Sequence, residues 1–189
     1  MLGTSNPSKR SLQWPLSLNE SLSNNLQVEH GVRAAQGWFE LGLAAEAEAE
    51  ISRLPGSAQR LPEVLKLRFH AARACKRHED ALEVAQALME VAHDELWGWL
   101  YRSQALHWLG RTVEAYDQLL PLQRRWPRAF EIPYDLACYC SQSDRIDTAG
   151  EWFVKAFKLT KHPAAVKSMA LADPDLKPLW PDIEAGRLG

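Results

Sequence analysis

An excess of basic charge is missing from this sequence: 22 lysines and arginines stand against 24 aspartates and glutamates, for a net charge of −2 and a pI near 6.3. With no positive field to draw in a phosphate backbone, nucleic acid is not an expected partner. Long hydrophobic runs are missing too. No stretch approaches the roughly 18 apolar residues that cross a bilayer. Between Met1 and Asn25, Lys9 and Arg10 lead into Ser11, Leu12, Gln13, Trp14 and Pro15, where a secretory signal needs an unbroken apolar segment. A membrane is therefore not an expected partner, and a cytoplasmic location is expected. Cysteine is scarce: Cys75, Cys138 and Cys140 are an odd number at no metal-ligand spacing, which argues against a disulfide scaffold and suits a reducing compartment. No glycine-rich phosphate loop, GxSxG elbow or HExxH pair is present. What remains is room for one domain, or for a short stack of repeats with a continuous core.

A repeat is what the sequence does contain. From Leu96, the residues Trp99, Ser103, Leu106, Gly110, Ala115, Leu119, Leu122 and Pro127 occupy positions 4, 8, 11, 15, 20, 24, 27 and 32 of a unit of about 34 residues. Translation by one unit in either direction preserves the pattern. Position 20 reads Ala47, Ala81, Ala115 and Ala149; position 24 reads Ile51, Ala85, Leu119 and Phe153; position 27 reads Leu54, Leu88, Leu122 and Ala156. Position 15 reads Gly42, Lys76, Gly110 and Asp144. A small residue at position 20 lets a second helix approach a first, and bulky apolar residues around it fill the gap. Position 15 suits a helix end with positive φ, for which Lys76 is the poorest fit.

This pattern resembles the tetratricopeptide repeat family over roughly Val28 to Pro163. The resemblance implies an all-α fold: a right-handed superhelical stack of four helical hairpins, residues 28–61, 62–95, 96–129 and 130–163, with a C-terminal capping helix. Departures from the family's pattern are Gly31 and Pro133 at position 4 and Phe69 at position 8, where a small residue is usual. Pro133 is tolerated in a first helical turn, so that helix is expected to start near Glu131 or Ile132. Residues 164–189 are expected to form the cap and tail: a helix from Ala164 to Ala172 ended by Asp173 and Pro174, then an apolar set of Leu176, Leu179, Trp180 and Ile183. Residues 1–27 are expected to be flexible, with Leu18, Leu22 and Leu26 at the spacing of a short capping helix. The arrangement is similar to small stand-alone bacterial members of the family.

Chemistry-bearing residues do not converge. Cys138 and Cys140 lie about 200° apart around a helix and cannot chelate together. His70, His107 and Cys138 fall on successive first helices, but nothing in their spacing enforces a ligand set. Glu46, Glu48 and Glu50 spread around their helix as a solvated surface. No catalytic residue, metal site or cofactor is expected, and the chain is not expected to be an enzyme.

The resemblance directs attention to a concave groove lined by positions 2, 5, 9, 12 and 13 of each first helix, which point away from the buried positions 4, 8 and 11. The candidate partner-binding residues are Phe39, Lys66, His70, Arg73, Trp97, Tyr101, Gln104, His107, Trp108 and Tyr134. Phe39, Trp97, Trp108 and Tyr134 are aromatic where a helix should meet solvent, which marks a contact surface; Trp97 and Trp108 can also be read as packing between helices. The carboxylate clamp by which some family members grip a chaperone tail is not expected, because of its cations only Lys66 is matched and Glu131 and Asp135 stand where others belong. The expected function is a protein-interaction scaffold or adaptor that holds another protein's peptide segment. The alternatives are a secretion-type chaperone for an unfolded client, and an accessory subunit that uses Trp126, Trp152 or Trp180 at a permanent interface.

Overall fold

The computed structural model describes residues 17–188, with side chains from Asn25 onward. Ten α-helices follow one another: α1 Ser17–Glu40, α2 Ala44–Ser52, α3 Pro62–Ala74, α4 His78–Val91, α5 Leu96–Trp108, α6 Thr112–Leu119, α7 Glu131–Ser141, α8 Ile146–Leu159, α9 Pro163–Ala172 and α10 Trp180–Glu184. The first eight pair into four hairpins. Each hairpin stacks on the next, so the fold is an all-α stack of tetratricopeptide type, closed at its C-terminal end by α9, a 3-10 segment Pro174–Leu179 and α10.

The alanine column explains the hairpins. Ala47, Ala81, Ala115 and Ala149 are all fully buried, as are Ala85, Leu119 and Phe153 one turn further on. A larger side chain in that column would push the paired helices apart. At position 15 all four residues adopt positive φ: 74° at Gly42, 56° at Lys76, 77° at Gly110 and 57° at Asp144. In each turn the N–H after the left-handed residue bonds back to a carbonyl near the end of the preceding helix, as in Arg77 to Ala72 and Arg145 to Cys140, both at 2.9 Å. The superhelical geometry therefore requires the turn even where lysine must adopt it.

Departures from the pattern have local causes. A Cβ on Gly31 would lie 2.5 Å from Leu54 Cδ2, so the bulky position 4 is emptied in the first unit to admit Leu54. Phe69 stacks on Tyr101 with ring centroids 4.0 Å apart, which is how the third unit accommodates a large residue at position 8. Pro133 lies in the first turn of α7. Pro121, which lacks an N–H, ends α6 after two turns, and Leu120–Arg124 continues as 3-10 helix. Leu122 is consequently half-buried rather than filling position 27.

The expected short N-terminal cap differs from what is seen. Leu18, Leu22 and Leu26 belong to the same unbroken helix as the first unit, since α1 runs from Ser17 to Glu40; the rest of the stretch expected to be flexible, residues 1–16, lies outside the described residues. The apolar core is divided. A small cluster joins Ala35, Ile51 and Leu54 to Val64 and Leu67 on one face of α3, while Leu65, Phe69 and Ala72 on its other face begin the large cluster that runs to Leu176 and Ile183. At the C-terminal end Leu176, Leu179 and Ile183 are buried, and Trp180 Nε1 donates to the Ala170 carbonyl at 2.8 Å. No helix among the described residues is long and apolar enough to cross a membrane.

Candidate binding groove

The candidate residues lie on the first helices of the hairpins, α1, α3, α5 and α7. Across the first three units an aromatic chain links them: Phe39 meets the edge of His70 with ring centroids 6.4 Å apart, His70 Nε2 lies 3.1 Å from Tyr101 Oη, and the Tyr101 ring is 5.9 Å from Trp97. Burial, and then Arg73, lower the His70 pKa, while burial pushes the Tyr101 phenol up to about 12. A neutral imidazole and a protonated phenol are what that contact needs. Phe69 lies beneath, 5.7 Å from Trp108, and Arg73 lies over the Trp108 ring at 5.5 Å.

The fourth unit is different, and it corrects the expectation for Tyr134. Almost the whole of α7 is buried, because the segment after α9 turns back across it instead of covering only the end of the stack. Tyr134 is 6 % exposed and donates its hydroxyl to Asp173 Oδ2 at 3.0 Å. Gln142 Nε2 donates to the Asp175 carbonyl at 3.0 Å, and His107 Nε2 lies 3.0 Å from Asp175 Oδ2 while its Nδ1 lies 2.9 Å from Thr112 Oγ1. The Cys138 thiol also faces Asp173, and burial followed by that carboxylate's charge pushes it well up, so it stays protonated and unreactive. Cys140, at position 11 of the fourth unit, is fully buried.

Between α3, α5, α7 and this returning segment lies an open pocket of about 370 Å³. It gathers six of the ten candidate residues, Arg73, Trp97, Gln104, His107, Trp108 and Tyr134, together with Leu100, Glu131, Asp135, Asp173 and Asp175. Trp97 is 41 % exposed and Trp108 half-buried. Phe39, Lys66, His70 and Tyr101 lie outside the pocket. Lys66 is tied to Glu95 at 2.7 Å, and Tyr101, at 6 % exposed, is packing rather than surface.

The residue overlooked as part of the site is Asp135. It is 8 % exposed, it accepts one side-chain hydrogen bond, from Gln104 Nε2 at 3.0 Å, and no cation pairs with it among the described residues. Burial is the largest cause raising its pKa to about 7; the Gln104 hydrogen bond and the His107 charge oppose this, and Asp173 and Glu131 add to it. The signal was visible, since Asp135 is the lone carboxylate in an otherwise apolar run from Ile132 to Cys140. Asp173 and Asp175 carried no such signal, because nothing local shows that the chain returns to the groove there.

Among the described residues no group of three histidine, cysteine or acidic side chains is placed to hold a metal ion. No protein-family model matches the sequence. A search of curated proteins likewise finds no significant relative. Among solved structures, a mutant of the tetratricopeptide protein MamA is similar, with a TM-score of 0.57 at 13 % identity over 88 % of this chain and 99 % of that one, a likeness of fold alone.

Proposed function

We propose that the chain is a small tetratricopeptide-type adaptor that binds a segment of another protein in its concave groove, and that it binds rather than catalyses. The observation that carries this reading is the exposed Trp97, at the rim of a pocket that Trp108 and Leu100 of the same helix also line. Indoles of this kind, part-buried and rimmed by polar groups, concentrate contact energy at interfaces. Phe39 and Arg73 extend the surface; Tyr134 and Tyr101 support it from below rather than meeting the partner. The titratable groups of the groove favour binding over reaction, since the Cys138 thiol and the Tyr134 phenol are both held protonated by burial.

The convex-face alternative is supported less well. Trp126 is covered by Arg125 at 4.4 Å and Trp180 is bonded to Ala170, although Trp152 Nε1 is buried without a partner. Affinity purification of the chain beside its Trp97→Ala variant, with mass spectrometry of what each retains, tests the proposal. Partners kept by the wild type and lost by an equally stable variant support it. Identical partner sets would move attention to the convex face.

A further inference from the structure

The pocket's polarity says more than its aromatic rim does. Four carboxylates, Glu131, Asp135, Asp173 and Asp175, line it against one guanidinium, Arg73. Two of the four are committed within the fold: Asp173 receives the Tyr134 hydroxyl and the Asp175 N–H, and Asp175 lies against His107. Asp135 is not committed in that way. Its Oδ2 takes one neutral amide bond, its Oδ1 takes none among the described residues, and it lines the pocket while nine-tenths buried. An ionised carboxylate left in that condition is costly unless a proton or a cation completes it. The walls suit such a cation as well, since indole faces attract guanidinium and ammonium groups: Arg73 already lies over Trp108, and Trp97 remains exposed.

We propose that this pocket receives a basic side chain, an arginine or lysine on a partner's peptide segment, seated against Trp97 with its charge towards Asp135 and Glu131. The proposal rests on the groove being the binding surface. It adds the chemistry of the anchor: a cation, where an acidic or C-terminal carboxylate ligand would meet repulsion from the pocket's uneven charge.

The test selects displayed random peptides on the full chain and measures the enriched peptides by fluorescence anisotropy. The proteins compared are the wild type, Trp97→Ala and Asp135→Asn, each first shown by circular dichroism to be folded. The expected peptides share an arginine or lysine. Replacing it by uncharged citrulline or acetyl-lysine weakens binding to the wild type at least tenfold, whereas on Asp135→Asn, with only Glu131 left facing the cation, the same replacement weakens it severalfold less. Peptides that Trp97→Ala weakens but that carry no essential cation would overturn this inference and leave the groove reading intact. Peptides indifferent to Trp97→Ala would overturn both. Self-association of the chain that Asp135→Asn abolishes, measured by sedimentation equilibrium, would assign the pocket to a second copy instead of a partner peptide.

Discussion

At Asp135 the folded chain holds a proton more tightly than the unfolded chain does, because burial, helped by the charges of Asp173 in the cap and Glu131 on its own helix, raises the carboxyl from 3.8 to about 7 against the opposing Gln104 hydrogen bond and His107 charge from α5. The sign follows from linkage: stability is greatest below the ordinary aspartate range and declines as pH rises through about 7. Asp135→Asn should remove that decline, leaving stability near pH 4 unchanged and raising it by about 1–3 kcal/mol at pH 8, the usual scale for a buried polar mismatch. Urea denaturation across that pH range reads the difference. His70 acts in the opposite sense. Its pKa lies below 6.5, so its contribution is present above that value and is lost on acidification. Lys76 offers a separate check on the turn geometry. At φ 56° a lysine bears a left-handed penalty that glycine escapes, and Lys76→Gly should stabilise the chain by about 1 kcal/mol in thermal melts.

Among the elements, α5 and α7 occupy equivalent places in consecutive hairpins yet meet different surroundings, and aromatic truncation should separate them. Trp97→Ala on α5, at an exposed position, should cost about 1 kcal/mol or less, whereas Tyr134→Ala on α7 should cost about 3–5 kcal/mol because it empties a packed site and strands Asp173. Melting temperatures of the two variants decide the point, and similar losses would refute the assignment of Tyr134 to packing. Ala115→Asp, which places a charge at the fully buried crossing of α5 and α6, should unfold the chain or lower its stability by several kcal/mol. The contrast also shows where sequence reading works and where it stops. The alanine column and the four left-handed turns recur with the repeat, so their packing partners are fixed by periodicity. The surroundings of α7 depend on Asp173 and Asp175, which lie outside the repeat and bond to His107 and Tyr134 across 68 and 39 residues. Groove positions follow from the helix; what covers them does not.

For the whole molecule, the divided core predicts uneven stability. Among the described residues, the first hairpin's buried apolar cluster takes in only Val64 and Leu67 from later helices, while the remaining hairpins and the cap share one cluster. Hydrogen exchange should therefore show α1 and α2 opening before α4 to α8, with α3 intermediate because it belongs to both clusters. Uniform protection along the chain would show the division to be without energetic effect. The returning segment at Asp173 has a consequence of another kind, for it acts as a stop at one end of a ruler. With most of α7 covered, α1, α3 and α5 remain open along the proposed groove, and α7 reaches it only at its end, through Glu131 and the Asp135 carboxylate. Three helices spaced about 10 Å apart span roughly 20 Å, a distance that about six residues of extended chain cross. On the proposed reading, the length of a bound segment is set by where the returning segment covers the repeats. Lengthening the bound segment past that stop should add no affinity, whatever residues it carries.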